Sequence, residues 1–138
     1  MTNRSSGFSL IELLVVVAIL GILTSVGIVA YNGYTEGARK NSTESVMQQI
    51  ALAQTEEYSL TGAYYTSDSG PDCTPSNATS EAIGSDLFAQ ADYIDFDELR
   101  FNICIFGSGA TYTIKAENEQ TGCILQLARN RSIDDSQC

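Results

Sequence analysis

An uncharged run near the N-terminus constrains this chain more than any other feature. Residues 13–31 form a stretch of 19 residues without a charged side chain. At 1.5 Å per residue, a helix of this length measures roughly 28 Å, which is close to the hydrocarbon thickness of a bilayer. The sequence therefore predicts a membrane-spanning helix over about residues 8–31. A short polar segment, residues 1–7, precedes it and carries the cation Arg4.

Glu12 distinguishes between two interpretations of this N-terminal segment. An ordinary secretory signal also has a cationic beginning and an apolar core. Glu12 lies inside the apolar run, where an ionisable side chain costs roughly 2.5–3.5 kcal/mol on insertion scales. A carboxylate retained at such a position indicates a partner that offsets this cost. The alternative is a carboxylate that reaches the membrane interface from an ordinary signal anchor.

The helical pattern continues beyond the predicted span. Apolar side chains recur at helical spacing, at Tyr31, Tyr34, Ala38, Val46, Ile50 and Ala53. This spacing predicts an amphipathic continuation that ends near Leu60, with Gly62 as a left-handed cap. A helix over residues 8–60 would be about 80 Å long, far more than one globular domain of this size needs. Such a length favours a role in assembly.

The remaining residues, 61–138, predict a small globular head. Residues 61–91 are rich in small and polar residues, which indicates a surface loop with a short helix over 85–91. Strand patterns follow at 99–106, 111–117 and 123–128, joined by short turns. The expected fold class is therefore α+β, with a long N-terminal helix packed on an antiparallel sheet of three or more strands. The last ten residues show no clear pattern.

Four cysteines lie in this head and indicate two disulfides formed in an oxidising compartment. Four cysteines allow three pairings. The preferred one joins Cys123 to Cys138, which fastens the C-terminus to the last strand, and Cys73 to Cys104, which fastens the loop to the first strand. The alternative is that some of them are buried thiols in a reducing compartment.

Charge and composition disfavour several classes of function. The formal net charge of −10 disfavours nucleic-acid binding by the lone subunit. The chain has no histidine, the most frequent general base near neutral pH, and no nucleophile has a recognisable base beside it. We therefore predict no catalytic residues, no enzyme activity and no cofactor. An acidic stretch could hold calcium, but a solvated acidic face is favoured and no metal site is predicted; its members are Asp92, Asp95, Asp97 and Glu98.

One motif in the N-terminal region is specific. GFSLIEL occupies residues 7–13 and leads into VVVAILGIL. This segment resembles the N-terminal processing signal of type IV pilins and of the pseudopilins of type II secretion. The match covers about the first 30 residues, whereas the head resembles this family only in outline. The chain also departs from many major pilins, because it has no proline before Pro71, and any bend must use Gly21 and Gly27, which can equally serve close helix packing.

The resemblance implies a function as a pilin. A prepilin peptidase would cleave between Gly7 and Phe8, and the new Phe8 amine would be methylated. Glu12 would then pair with the Phe8 amine of a neighbour while the N-terminal helices pack into a homopolymer. The partners implied are the inner membrane before assembly, the inner-membrane assembly platform and further copies of the chain. The product would be an extracellular pilus serving adhesion, twitching motility or DNA uptake.

Two other functions remain open. A type II secretion pseudopilin would share the first 30 residues, but resemblance to that group implies a head closed by calcium more often than by disulfides. A monomeric, membrane-tethered binding module would use the anchor for display only. Glu12 and the 53-residue helix over 8–60 disfavour the tethered module. The sequence does not distinguish a major pilin from a minor one.

Overall fold

A computed structural model of the chain describes residues 7–138. It has three α-helices and four strands in this range: α1 Leu10–Thr61, α2 Asn77–Phe88, α3 Phe96–Leu99, β1 Asn102–Gly107, β2 Tyr112–Glu117, β3 Ile124–Ala128 and β4 Ile133–Gln137. A single turn of 3₁₀ helix, Ala91–Tyr93, precedes α3. The predicted α+β class, with a long N-terminal helix and an antiparallel sheet, is confirmed. The contacts divide the chain into two units, residues 1–37 and 38–138.

The first unit, as described from Gly7 onward, is the N-terminal part of α1. Its apolar side chains are exposed throughout, from Leu10 at 82% to Val29 at 74%. Within the described residues, α1 is long and apolar enough to cross a membrane, judged by length and composition. Two hydroxyls on this part bond back to the helix itself: Thr24 Oγ1 donates to the Leu20 carbonyl oxygen at 2.7 Å, and Ser25 Oγ donates to that of Ile22 at 2.7 Å. These polar groups are therefore satisfied without a second chain.

The second unit contains the C-terminal part of α1 and the head. α1 buries one stripe of side chains there: Thr43, Met47, Ile50, Ala51 and Gln54. The spacing of three and four residues places them on one face of the helix. α1 ends at Thr61, and Gly62 follows with a φ of +80°. Glycine reaches this left-handed conformation without steric cost, so it suits the cap.

The sheet is an antiparallel meander in the order β1-β2-β3-β4. Ile114 in β2 faces Ile105 of β1 on one side and Leu127 of β3 on the other. Alternate residues along β2 are buried. This alternation forms one apolar face of the sheet, and the core combines it with α1 and with Ile83 of α2.

Hydroxyl groups close the outer edge of β1. Ser80 Oγ accepts from the Ile103 N–H at 2.9 Å, and Thr79 Oγ1 donates to the Ile103 carbonyl oxygen at 2.8 Å. Ser67 Oγ accepts from the Ile105 N–H at 2.9 Å and donates to its carbonyl oxygen at 2.9 Å. These side chains satisfy backbone groups that a further strand would otherwise pair.

Two local predictions need correction. The short helix predicted over 85–91 is α2, which begins at Asn77 and ends at Phe88. Its start is fixed by a capping box, in which Ser76 Oγ accepts from the Thr79 N–H and Thr79 Oγ1 accepts from the Ser76 N–H. The strand predicted from residue 99 begins at Asn102, because α3 includes Leu99.

The last ten residues, for which the sequence gives no pattern, contain β4. This strand pairs with β3 through a register shift between Ile124 and Gln126. The predicted sheet of three or more strands thus has four.

Candidate processing and assembly segment

The residues of the predicted processing site lie at the start of α1. Gly7, Phe8 and Ser9 are not helical, and α1 begins at Leu10. The Ser9 carbonyl oxygen accepts the first helical bond from the Leu13 N–H at 3.2 Å. Phe8 is 77% exposed. The Gly7–Phe8 bond is therefore in accessible, non-helical chain, although residues 1–6 of the predicted leader lie outside the described residues.

Glu12 contacts its own helix terminus in the lone subunit. Glu12 Oε2 accepts from the Ser9 N–H at 3.3 Å, which is half of a capping box with Ser9 at the cap and Glu12 three residues later. A carboxylate in the first turn also complements the helix dipole. Among the residues that the structure describes, no cation lies within ion-pair distance of Glu12. The carboxylate is exposed and has remaining acceptor sites for a cation brought by another chain.

The apolar surface around Glu12 is continuous. Between Phe8 and Val29 every large apolar side chain is about half exposed or more; the least exposed are Val15 and Val16, each at 48%. Exposed apolar surface on this scale marks a contact with lipid or with other chains. Glu12 is the one charged side chain on this apolar part of α1.

Two disulfides fasten the head. Cys73 is joined to Cys104 of β1, and Cys123 to Cys138. The predicted C-terminal bridge, Cys123 with Cys138, is confirmed, and it ties the end of β4 to the start of β3. The first bridge holds the loop after α1 against β1, where Cys104 is fully buried.

Lys115 of β2 reinforces that attachment of the loop. Its Nζ lies 3.0 Å from Asp72 Oδ1 and donates to the Cys73 carbonyl oxygen at 3.1 Å. The hydrogen bond from Lys115, with a further one from the Cys73 N–H, holds the pKa of Asp72 below its usual range. An ion pair thus sits beside the disulfide and fixes the same turn of the loop.

A second ion pair connects α1 with the edge strand. Lys40 Nζ lies 2.6 Å from Asp135 Oδ2 on β4. This contact raises the pKa of Lys40 and lowers the pKa of Asp135, in both cases chiefly through the hydrogen bond between them. Both groups are solvent-accessible, so the pair orients β4 more than it stabilises the head.

Sequence reasoning missed the role of Gln54. Its side chain is fully buried, donates Nε2–H to the Tyr65 carbonyl oxygen at 2.8 Å and accepts from the Tyr65 N–H at 2.8 Å. It therefore holds the backbone that leaves α1, as a neighbouring strand would. A polar residue on the buried stripe of an amphipathic helix is the sequence signal that could have identified it.

Comparison with known proteins supports the interpretation of the N-terminal segment. The family described as "Prokaryotic N-terminal methylation motif" matches residues 2–28. This range includes Gly7, Phe8 and Glu12. No solved structure gave a significant match to the chain.

Curated relatives are fimbrial proteins and major pilins. A "Fimbrial protein" of Neisseria meningitidis serogroup A is 33% identical over 100 residues, which cover 72% of this chain and 53% of that protein. The "Type IV major pilin protein PilE1" of Neisseria gonorrhoeae is 35% identical over 82 residues, covering 59% of this chain and 36% of that protein. A "Fimbrial protein" of Pseudomonas aeruginosa is 42% identical over 58 residues, covering 42% of this chain and 36% of that protein.

The chain thus spans about half the length, or less, of these relatives. The longest of these matches covers 100 residues, more than the methylation motif and α1 together contain, so it includes part of the head. Together with the α+β fold, these similarities show that the chain belongs to the family of type IV pilins and pilin-like proteins that carry the N-terminal methylation motif.

Proposed function

We propose that this chain is a structural subunit of an extracellular type IV pilus filament. One observation carries the proposal: the methylation motif leads directly into a helix whose apolar surface is exposed and interrupted by a single carboxylate, Glu12. Such a surface needs lipid or other helices to cover it. The named relatives are pilins and fimbrial proteins, which favours a pilus over a secretion pseudopilus.

Processing would precede assembly. A prepilin peptidase would remove residues 1–7 by cutting between Gly7 and Phe8, and the new Phe8 amine would be methylated. The absence of helix at these two residues supports this, because a protease needs extended, exposed backbone. Until then the apolar part of the helix, over about residues 8–31, would hold the precursor in the inner membrane, with the head, residues 61–138, in the oxidising compartment where its disulfides form.

Assembly would use the charge on Glu12. After cleavage Phe8 carries a cationic amine at the end of an apolar helix, and packing such helices together removes both this cation and a neighbour's Glu12 from water. Pairing the two charges offsets both desolvation costs and fixes the axial stagger between subunits. Among the described residues, the Ser9 N–H is the one hydrogen-bond donor to the Glu12 carboxylate in the lone subunit, which leaves acceptor sites for this pairing.

The finished filament would be a polymer of this chain built by an inner-membrane assembly platform. Its role would be adhesion, twitching motility or DNA uptake. For DNA uptake the strongly acidic subunit would need a partner that carries the nucleic acid, because a net charge of −10 repels phosphates.

The test is the composition of material sheared from cells that produce this chain. We expect filaments in which the chain starts at Phe8 and carries one added methyl group, as read by intact mass. A chain that still begins at Met1, or one that remains in membranes of cells with normal filaments, contradicts the proposal. Recovery only after overproduction of a secretion system would indicate the pseudopilin instead.

A further inference from the structure

Three tyrosine rings and two arginines form a cluster beside the C-terminal end of α1. Tyr58 stacks on Tyr64 with ring centroids 4.5 Å apart, and Tyr64 meets Tyr112 of β2 at 4.8 Å. The Arg129 guanidinium lies 5.4 Å from the Tyr64 ring centroid. Burial raises the pKa of Tyr112, the neighbouring Tyr64 raises it further, and the charges of Arg131 and Arg129 oppose this. Arg131 lies two residues after Arg129, in the turn between β3 and β4, where its N–H donates to the Ala128 carbonyl oxygen at 2.8 Å; we call these five residues the tyrosine–arginine cluster.

The arginines of the cluster have no carboxylate partner among the described residues. Arg129 donates to the Ala110 carbonyl oxygen at 3.4 Å, and neither Arg129 nor Arg131 takes part in an ion pair. The chain carries 17 acidic residues against 7 basic ones. Two adjacent cations without a carboxylate are unexpected in so acidic a protein. Both arginines are exposed, and Tyr58 is 44% exposed.

A surface of opposite charge lies elsewhere in the same head. Residues 92–98, the acidic segment, expose four carboxylates: Asp92, Asp95, Asp97 and Glu98. Asp92, Asp95 and Asp97 line, together with Glu81, a groove with a volume of about 480 Å³. Arg100 lies 3.9 Å from Asp97 and is the one described cation within ion-pair distance of the segment. No ion pair joins the segment to the tyrosine–arginine cluster within one copy of the described chain.

We propose that the tyrosine–arginine cluster of one copy binds the acidic segment of a neighbouring copy. The inference rests on the proposed function, since it concerns contacts between heads in a filament. When the cluster of one copy binds the segment of the next copy and the contact is not returned within the same pair, the interface is heterologous, and such an interface can extend into an open filament. Guanidinium groups fit carboxylates through paired hydrogen bonds, and a tyrosine face holds the guanidinium in place.

Cross-linking tests the contact directly. The variant Arg129→Lys with Arg131→Lys keeps both charges and supplies amines that a carbodiimide joins to touching carboxylates. Filaments would be assembled from mixed ¹⁴N and ¹⁵N chains and mapped by mass spectrometry. We expect mixed-isotope cross-links from these two positions to residues 92–98. The existing pair of Lys115 and Asp72, 3.0 Å apart, is the internal control, because its cross-link must stay within one chain.

Charge reversal supplies a second measurement. Arg129→Glu with Arg131→Glu should lower filament yield about tenfold, which corresponds to about 1.4 kcal/mol, and so should Asp92→Arg with Asp97→Arg. A chain with all four changes should recover the yield. Asp95 is left intact because its Oδ1 accepts from the N–H groups that start α3. The matched control is Glu56→Arg, a charge reversal at an exposed position of α1 that should leave the yield unchanged.

The outcomes separate this inference from the proposed function. If filaments contain the chain but the cross-links run to other carboxylates, or the four-change chain does not recover, the head contact is wrong and the pilin function stands. The head contact is equally wrong if charge reversal leaves filament yield intact and instead abolishes binding of a soluble anionic molecule. If no filament contains the chain, the proposed function itself fails.

Discussion

Replacing Glu12 separates its two possible roles, the cap of its own helix and the counter-charge for a neighbour. Glu12→Gln keeps an acceptor for the Ser9 N–H, which Glu12 Oε2 meets at 3.3 Å, but removes the charge. Glu12→Val removes both. Loss of a helix cap costs about 0.5–2 kcal/mol. Loss of one partner of a buried ion pair costs about 3–5 kcal/mol because the other charge is stranded.

The charge-pairing mechanism therefore predicts the same failure for both variants. At about 1.4 kcal/mol per tenfold change, 3–5 kcal/mol lowers assembly by roughly two to nearly four orders of magnitude. Membrane insertion should be unchanged or slightly improved, since an acid in an apolar helix opposes insertion. We expect both variants to be cleaved after Gly7 and to accumulate in the inner membrane.

The assay compares the amount of chain in sheared filaments with the amount in the membrane, and intact mass reports cleavage. The matched control is Glu36→Gln, which removes a carboxylate from a part of α1 beyond the apolar run. Normal filaments from Glu12→Gln would refute the pairing. Normal filaments from Glu12→Gln together with none from Glu12→Val would assign Glu12 to capping alone.

Three further predictions concern the head. Gln54→Leu removes the partner of the half-buried Tyr65 N–H and carbonyl oxygen, which should cost about 1–3 kcal/mol and lower the thermal midpoint of the full chain in detergent. Gln48→Leu, at an exposed position, should not lower it. Removing the C-terminal bridge by Cys138→Ser opens a connection of 15 residues and should cost about 3 kcal/mol in urea unfolding; equal stability before and after reduction of the wild type contradicts this. Asp135 has a lowered pKa, so the stability that its pair with Lys40 contributes is present above the unfolded value of 3.8 and is lost as the pH falls through the folded value. Lys40→Met should therefore be less stable than wild type at neutral pH and as stable as wild type in strong acid. A difference in stability that persists in acid would assign the effect to packing.

The N-terminal half of the fold was predictable because its signals are local and repeated. An apolar run with one carboxylate specifies both a helix and a surface that needs covering, without reference to the rest of the chain. The same holds for Gly62, whose conformation follows from the end of the apolar pattern. These features depend on helix geometry and membrane thickness, which do not change with the tertiary context.

The structure of the head was less predictable where polar residues are buried or cap a helix. The predicted apolar stripe on α1 included Ile50, but the buried stripe also contains Thr43 and Gln54, two polar residues that a pattern of apolar side chains leaves out. Gln54 is buried because it bonds the backbone of a residue 11 positions away, a contact that periodicity does not encode. α2 begins at a capping box of Ser76 with Thr79, a weaker sequence signal than the usual serine with glutamate.

β4 escaped prediction for a related reason. Four of its five residues are exposed, so the alternation that identifies a strand is missing. Its position depends on partners remote in sequence: the disulfide between Cys123 and Cys138, and the ion pair of Asp135 with Lys40. Cysteine spacing indicated that the C-terminus is fastened to the third strand, but not that it continues the sheet.

The hydroxyl groups on the edge of β1 affect whether heads at very high local concentration can pair through their sheet edges. Crowded sheets with bare edges recruit one another strand by strand and become a continuous cross-β ladder. Ser67 and Ser80 occupy the backbone donors and acceptors that such growth requires at the β1 edge. At the other edge, β4 carries Asp134 and Asp135, which place charge where another backbone would approach. Heads of this design can therefore lie against one another at high density while each keeps its own four-stranded sheet.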